Sequence, residues 1–300
     1  FMKNNLKRFC LSIGIECVGI ASSGPYYDLK KILEKRVEVG YNTEFENKEL
    51  QKRICPSLTL EGAKSVIVCL FPYYVGNRED ANISKYTYGL DYHKIVEGKL
   101  KQIGIFLDNI IENFEYKAYV DSGPLVDRYL AYKAGLGFYG VNSHLITDKY
   151  GSYVFIGYII NNYPFKPDEP MEKTCIQCRR CIKACPGSAI PGDFTINPFK
   201  CRSYISQKKV ELSERDKEIL KKDKLLFGCD ICQDVCPHNK SISMTNMDEF
   251  KDNLLTFLSY DEISNISNKE FMRRYKDRAF SWRGKKTILR NFEIIDRNPH

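Results

Sequence analysis

The sequence predicts an α/β domain followed by a small cysteine-rich module. Short apolar runs alternate with longer segments of helical periodicity over the first 165 residues. Eight of the twelve cysteines fall between residues 175 and 236, after this alternation has ended. Between the two parts, Pro164, Pro167 and Pro170 indicate a linker. We therefore predict domains over 1–165 and 166–245, and a basic helical tail over 246–300.

Local sequence patterns predict the helices and strands of the N-terminal domain. The apolar run at 65–71 suits a buried strand, and 117–120 and 151–160 are further strand candidates. Residues 92–114 carry apolar side chains at helical spacing. We predict a second helix over 124–134, because Pro124 fits a first helical turn and Gly135 is a favoured residue just after a helix.

The clustered cysteines form two ferredoxin-like phrases. The first is Cys175-x2-Cys178-x2-Cys181-x3-Cys185 before a proline, and the second is Cys201 and then Cys229-x2-Cys232-x3-Cys236 before a proline. Two-residue gaps let one loop wrap three corners of a [4Fe–4S] cube, and the cysteine before proline reaches the other cube. The spacing therefore predicts one cluster held by Cys175, Cys178, Cys181 and Cys236, and a second held by Cys185, Cys201, Cys229 and Cys232.

Other uses of these cysteines fit the pattern less well. Zinc ribbons also use Cys-x2-Cys pairs, but the triple phrase ending in Cys-Pro disfavours zinc. A disulfide framework is weaker still, because nothing N-terminal resembles a signal peptide and oxidised cysteines could not be ligands. Reduced ligands without an export signal favour the cytoplasm. The other four, Cys10, Cys17, Cys55 and Cys69, are expected to be small buried hydrophobes.

The composition favours a substantial core and a polyanionic partner. Hydrophobic residues make up 43% of the 300 residues, and no run of 18 apolar residues predicts a membrane span. The formal net charge is +8, with cations concentrated at 200–224 and 273–290. The second stretch interleaves cations with aromatic residues, which suits a phosphate backbone with a stacking base. A solvated basic helix face is an equally good interpretation of the charge alone.

Two polar residues are candidates for chemistry in the N-terminal domain. Asp121 follows the predicted strand at 117–120, and strand ends that face a crevice are where α/β folds place ligands. An aspartate there would serve as a proton donor if burial raised its pKa. It would equally serve as a local hydrogen-bonding residue before the next helix. His93 is a further candidate, or an ordinary histidine in the first turn of a helix.

Taken together, the motifs resemble those of epoxyqueuosine reductases. The resemblance covers nearly the whole chain and rests on the phrases at 89–93, 120–128, 134–138, 140–143 and 151–152, on the eight cysteines, and on 201–204 and 282–286. Members of this family are cobalamin-dependent and complete queuosine at the wobble position of certain transfer RNAs. The resemblance implies a nitroreductase-like cobalamin domain fused to a two-cluster ferredoxin-like module.

The resemblance also implies a mechanism. An external carrier such as a flavodoxin or ferredoxin would pass electrons through the clusters to base-off cobalamin. Asp121 would protonate the oxygen of the opening epoxide. Histidine-ligated cobalamin usually requires D-x-H-x-x-G, and here Asp91 and His93 are followed by Val96 at the glycine position, so cobalt ligation by histidine is not expected. A monomer that does not associate with membranes is expected.

The residues matched to the family fall into two sets. The cobalamin positions are Arg53, Ser84, Tyr92, His93, Asp121, Leu145, Ile156, Ile159, Ser203 and Asp230. The transfer RNA contacts are Arg128, Arg283, Lys285 and Lys286. The sequence departs from the family pattern at two points. Val141 stands where many members have lysine, and the sequence stops at His300, so a HEAT-like RNA-binding extension is expected to be absent or minimal.

Two other functions compete with this interpretation. A cobalamin-dependent reductive dehalogenase would share the cofactor and the cluster module, but would have little use for a basic surface. A ferredoxin-type electron carrier without catalysis would leave Asp121 and His93 without a role. Binding of cobalamin separates the carrier from the two enzymes.

Overall fold

The computed structural model describes residues 1–296, which divide into two compact units. The first comprises Phe1–Pro72, His93–Gly140 and His144–Ile176. The second comprises Tyr73–Tyr92, Val141–Ser143 and Gln177–His300, of which the last four residues lie outside the described part. The three-part division of the sequence, including the end of its 246–300 tail, stays a prediction.

The elements from the N-terminus to residue 161 include six strands. In chain order they are α1 (Met2–Ser12), β1 (Cys17–Ser22), α2 (Tyr27–Glu38), α3 (Leu50–Ile54), β2 (Ser65–Pro72), α4 (Tyr92–Asp108), β3 (Tyr116–Val120), α5 (Asp127–Lys133), β4 (Phe138–Tyr139), β5 (Leu145–Ile146) and β6 (Val154–Asn161). Four strands form one sheet in the order β1-β2-β6-β3, and every neighbouring pair is antiparallel. β4 and β5 form a separate two-stranded sheet. The mixed helix and strand class predicted from the sequence is confirmed.

The central strands explain why this sheet forms where the sequence predicts it. All eight residues of β2 are buried, as a continuous apolar run requires when both faces are covered. β6 pairs with β2 on one side, in a register that sets Ser65 opposite Asn161, and with β3 on the other. The predicted strands at 65–71, 117–120 and 151–160 are confirmed, and their ends differ from the prediction by no more than three residues.

Both predicted helices of this unit are shorter than expected. α4 ends at Asp108 rather than at residue 114, and the chain turns through Asn113, whose φ is +53°. α5 begins at Asp127 rather than at Pro124, because Val126 is still extended. Its predicted end is confirmed, since Gly135 has the left-handed φ of +68° that favours glycine after a helix.

The second unit is built from short helices. They are α6 (Arg180–Ala184), α7 (Arg202–Ser206), α8 (Glu214–Leu220), α9 (Ile231–Asp234), α10 (Tyr260–Ser264), α11 (Asn268–Tyr275) and α12 (Lys285–Asp296). Ser259 and Ser267 cap α10 and α11 by accepting from the backbone N–H groups of Glu262 and Glu270. This spacing of serine and glutamate is the capping box, a local signal that fixes where both helices begin.

The C-terminal helices share a core with earlier parts of the second unit. Phe271, Phe280 and Ile288 are fully buried and belong to one cluster with Ile83 and Phe227. The helical character predicted from residue 247 onward is therefore explained by burial of one apolar face against this core. Among residues 1–296, no helix combines the length and the apolar character needed to cross a membrane.

Candidate active site and cluster-binding module

Asp121 stands where the sequence placed it, directly after the end of β3. Its φ is +58°, a left-handed conformation in which glycine, asparagine and aspartate are enriched. The next amide, of Ser122, donates to the carbonyl of Val120 at 2.6 Å, which closes a tight turn. The turn directs the chain away from the sheet immediately after the last strand residue.

His93, in the first turn of α4, is brought to this aspartate. Its Nε2 lies 3.3 Å from Oδ2 of Asp121. The His93 side chain is 40% exposed and that of Asp121 is 61% exposed, so the fold alone does not provide the burial expected of a proton donor. The histidine provides instead a partner that can exchange a proton with the carboxyl group.

The loop between Asp121 and α5 is held against β6. The hydroxyl group of Tyr158, fully buried on β6, accepts a hydrogen bond from the amide of Leu125 at 3.1 Å. Gly123 lies so close to this tyrosine that an added Cβ would overlap the hydroxyl oxygen and would lie 2.8 Å from the Tyr119 Cβ. Only glycine therefore lets this loop lie on Tyr158.

Replacing Gly123 with alanine should displace the Asp121 loop. The methyl group would meet Tyr158 and Tyr119, so the loop has to move while the sheet beneath it stays intact. A displacement of about 1 Å at a reacting group can cost roughly 100-fold in rate. We therefore expect turnover to fall by roughly 100-fold. The melting temperature should stay close to that of the wild type. Gly98→Ala is the matched control, because nothing lies within 4 Å of a Cβ added there.

A cluster of titratable side chains lies behind the loop. Burial raises the pKa of Asp127 well above its usual range and the Asp121 carboxylate adds to this, whereas Arg128 and the backbone amides of Asp127 and Asp121 act in the opposite direction. Burial, assisted by Arg128, lowers the pKa of His144 to about 3, so this imidazole is neutral at physiological pH. Arg128, a predicted transfer RNA contact, is exposed on α5.

Four cysteines of the second unit influence one another electrostatically. Burial raises the pKa of the Cys232 thiol, and the neighbouring Cys229, Cys201 and Cys185 raise it further. Burial likewise raises the pKa of Cys229 to about 12. These are the four residues that the spacing assigned to the second cluster. Thiols that destabilise each other as anions fit a site designed for a cationic iron core, which must displace their protons when it binds.

Hydrogen bonds prepare part of this site for sulfur ligation. The amide of Ala189 donates to Sγ of Cys185 at 3.2 Å. Arg202 follows Cys201 in sequence, is 1% exposed, and donates to the carbonyl oxygens of Leu220, Asp223, Leu225 and Gly228. Its charge lies beside Cys201 and Cys229. A buried arginine bonded to carbonyl groups orders the segment that carries Cys229, a role that no sequence pattern indicated.

The four cysteines predicted for the first cluster differ in their exposure. Cys181 on α6 and Cys236 just after α9 are buried, and these two helices pack together. Cys178 is exposed and Cys175 is partly exposed. Within residues 1–296, no three His, Cys, Asp or Glu side chains are arranged to hold one metal ion. A cubane spreads its four thiolates over separate corners, so its ligands need not converge on one point.

Two of the predicted cobalamin positions meet inside the second unit. Ser84 donates to Oδ1 of the buried Asp230, whose Oδ2 accepts from the amide of Lys85 at 2.8 Å. The Lys85 ammonium lies 3.7 Å from Oδ2. Burial raises the pKa of Asp230, and Lys85 and Ser84 oppose that effect. Both residues thus have partners within the fold, which explains their presence without a ligand.

The remaining positions matched to the cofactor differ in accessibility. Ile159 is completely buried and Leu145 nearly so, so their side chains pack in the core. Arg53 pairs with Glu46 at 2.8 Å. The partly exposed ones are Tyr92, which begins α4, Ile156 on β6 and Ser203 on α7. The structure brings His93 and Asp121 together, and Ser84 and Asp230 together.

Several cations of the basic stretch at 273–290 have partners within the protein. Arg273 and Arg274 pair with Glu270, Arg278 donates to the carbonyl of Tyr88, and Arg290 donates to the carbonyl of Lys208. Lys285 donates to the carbonyl groups of Ser264 and Ile266. Arg283 stacks 3.8 Å over the ring of Trp282, which is 51% exposed. The stretch is therefore less of a free cationic surface than its sequence indicates.

The four cysteines outside the cluster pattern divide into two pairs. Cys10 and Cys69 are fully buried, as predicted. Cys69 hydrogen-bonds to Cys10, which together with burial raises its pKa. The prediction is wrong for Cys17 and Cys55, which are only partly buried.

Comparison with known proteins decides the family. A family model described as "Epoxyqueuosine reductase QueG, DUF1730" matches residues 53–122, and one described as "4Fe-4S double cluster binding domain" matches residues 174–239. The epoxyqueuosine reductase of Lactococcus garvieae is 34% identical over 299 residues, which cover 97% of this chain and 85% of that protein. That of Listeria monocytogenes is 35% identical, over 98% of this chain and 80% of that protein. The chain belongs to the epoxyqueuosine reductase family.

Solved epoxyqueuosine reductases share the fold over nearly the whole chain. The Streptococcus thermophilus structure superposes with a TM-score of 0.88 at 34% identity, and covers 98% of this chain and 80% of its own. A Bacillus subtilis structure, with its catalytic aspartate loop swung out of the active site, superposes with a TM-score of 0.92 at 32% identity over the same shares. Another epoxyqueuosine reductase, solved with an epoxyqueuosine-modified tRNA stem loop, gives 0.91 at 32%.

A more distant likeness concerns the alternative enzyme. The reductive dehalogenase NpRdhA superposes with a TM-score of 0.51 at 16% identity, over 82% of this chain and 32% of its own. At this level only the fold is shared. The chain belongs to the epoxyqueuosine reductase family and contains the domain for two [4Fe–4S] clusters. This is therefore favoured over the interpretations as a reductive dehalogenase or as an electron carrier.

Proposed function

We propose that this protein reduces epoxyqueuosine to queuosine at the wobble position of tRNA. The proposal is supported by family membership, since an epoxyqueuosine reductase aligns with 97% of the chain. Asp121 at the end of β3, with His93 at 3.3 Å, supplies a proton-transfer pair of the kind this reaction needs. Two electrons and two protons convert the epoxide into an alkene and water, so the enzyme must deliver both.

We further propose base-off cobalamin as the cofactor, which would supply the reductive cobalt chemistry when bound. The residues of the first unit then position the substrate and move protons. Asp121 donates a proton to the oxygen atom of the opening epoxide, and His93 holds the carboxyl group and can restore its proton. The tight turn after Val120 fixes the direction of the carboxyl group.

The cluster-binding module forms the electron route in this proposal. Cys175, Cys178, Cys181 and Cys236 hold the first cluster, and Cys185, Cys201, Cys229 and Cys232 hold the second. The mutual influence of the thiols of Cys232, Cys229, Cys201 and Cys185 supports the second set. The electrons come from an external one-electron carrier such as a flavodoxin or ferredoxin. A cytoplasmic monomer stays the expected state of the protein.

The decisive assay uses the complete enzyme. Protein reconstituted anaerobically with both clusters and cobalamin, and supplied with a chemical reductant, is incubated with tRNA that carries epoxyqueuosine. Mass spectrometry of the digested nucleosides should show the loss of one oxygen atom. Spectra that report reduced clusters and reduced cobalt, together with unchanged epoxyqueuosine, would exclude the proposed activity.

For RNA contact we propose Arg128, Arg283 and Lys286, together with the exposed Lys276 of the same basic stretch, and we assign Lys285 to the fold because it donates to two carbonyl groups. The doubly substituted variant Lys276→Ala with Lys286→Ala removes two exposed cations without breaking a hydrogen bond that the structure describes. We expect weaker tRNA binding and a salt dependence reduced by about one to two phosphate contacts. Lys31→Ala with Lys35→Ala, two exposed lysines on α2, is the control. An unchanged salt slope would make this stretch a solvated face.

A further inference from the structure

Arg202 is a buried cation whose hydrogen-bond partners are all neutral. It begins α7, directly after Cys201, and is 1% exposed. Its guanidinium group donates to four backbone carbonyl oxygens at 2.6 to 3.3 Å, those of Leu220, Asp223, Leu225 and Gly228. Among residues 1–296 no carboxylate forms an ion pair with it, and the partly exposed Asp223 carboxylate acts on it only from a greater distance. Arginine stays charged in proteins, and a buried charge without an oppositely charged partner destabilises the fold.

The guanidinium group lies between two segments that carry ligands of the second cluster. Cys201 is its neighbour in the chain, and its Nη1 donates at 3.2 Å to the carbonyl of Gly228, the residue before Cys229. The Gly228 amide donates in turn to the hydroxyl group of Ser206 on α7 at 3.0 Å. Hydrogen bonds therefore join α7 to the start of the Cys229 phrase, and the positive charge lies at this junction.

Joining these two segments does not require a charge. Asn291 on α12 is also fully buried, and its amide group donates to the carbonyl oxygens of Ser206 at 2.8 Å and Leu226 at 2.7 Å. A neutral side chain thus connects α7 with the chain before Cys229 without the desolvation penalty of a buried ion. The charge of Arg202 needs a separate explanation.

We propose that the second [4Fe–4S] cluster is the counter-ion of Arg202, and that this charge makes the cluster easier to reduce. The inference rests on the proposed ligand set of Cys185, Cys201, Cys229 and Cys232. A cube held by four thiolates is an anion, and it gains one negative charge when it accepts an electron from the external carrier, with no bond formed or broken. A nearby buried cation stabilises the more negative state more strongly, so it raises the reduction potential.

Two substitutions separate the charge from the hydrogen bonds. Arg202→Lys keeps the positive charge and Arg202→Gln removes it, while both lose the planar fork that reaches four carbonyl groups. Each reconstituted holoenzyme is titrated electrochemically, and electron paramagnetic resonance follows both clusters. At the wild-type midpoint potential, the reduced-to-oxidised ratio of the second cluster should be about 10-fold lower in the glutamine variant, or about 59 mV for one electron. The lysine variant should change this ratio by less than about 3-fold, and the first cluster is the internal reference.

Ser206→Ala is the matched control, because it removes a hydrogen bond at Gly228 without changing any charge, and its second cluster should titrate like that of the wild type. If the glutamine variant assembles without the second cluster, the iron content becomes the measurement, and the lysine variant should retain that cluster because it retains the charge. The proposal is overturned if the glutamine variant has an unchanged or higher potential, or if both variants are equally impaired in potential or iron content. These titrations need neither tRNA nor turnover, so a protein that left epoxyqueuosine unchanged would refute the proposed function and not this inference.

Discussion

Asp121→Asn should reduce turnover of epoxyqueuosine-containing tRNA by about 100- to 10,000-fold, the range that a positioned general acid contributes. Asparagine preserves the size of the side chain and tolerates the left-handed backbone at this position, where φ is +58°. The substitution thus removes the proton and leaves the turn intact. Binding of cobalamin and reduction of the clusters should be unaffected, because only one exposed carboxyl group has changed.

Single-turnover kinetics with prereduced enzyme measures this effect without interference from electron delivery. The matched control is Asp148→Asn in the same unit, an exposed aspartate that pairs with Lys173 at 2.7 Å, and it should retain full activity. His93→Gln adds a second comparison, since it removes the titratable partner 3.3 Å from Asp121 and should cost less than loss of the donor itself. An Asp121→Asn enzyme of near-native rate would remove this residue from the chemistry.

The strands of this protein were predictable because their signals are local. The run at 66–71 is apolar throughout, and it is preceded by the polar residues Lys64 and Ser65 and followed by Pro72. The start of α5 was wrong for the opposite reason. Pro124 suits a first helical turn, but the loop is instead held by the hydrogen bond from Leu125 to Tyr158, residues 33 positions apart. No local pattern reports that bond.

The candidate site was predictable where residue type and spacing define the chemistry. Eight cysteines at ferredoxin spacing required no knowledge of the fold, and Asp121 was found because a strand ends before it. Arg202 was missed as a functional candidate because basic residues are normally exposed, and only the structure shows it buried. The number of cations in 273–290 that are available to a partner was overestimated, because the sequence does not reveal that Arg290 and Lys285 donate hydrogen bonds to carbonyl groups.

Cys201→Ala tests whether Cys201 is the fourth ligand of the second cluster. Cys201 lies far in sequence from the phrases on either side, so spacing alone links it only weakly to either cube. In the fold its thiol raises the pKa values of both Cys229 and Cys232, which requires it to be near them. Removing it should leave a cube with three thiolates, which is expected to be lost or degraded to a three-iron form.

The expected result is a reconstituted protein that has lost up to about half of its iron and acid-labile sulfide, retains the signal of one [4Fe–4S] cluster on reduction, and shows no turnover. Cys55→Ala, a partly buried cysteine outside the pattern, should keep both clusters and full activity. A Cys201→Ala protein with both clusters intact would exclude Cys201 as a ligand of the second cluster.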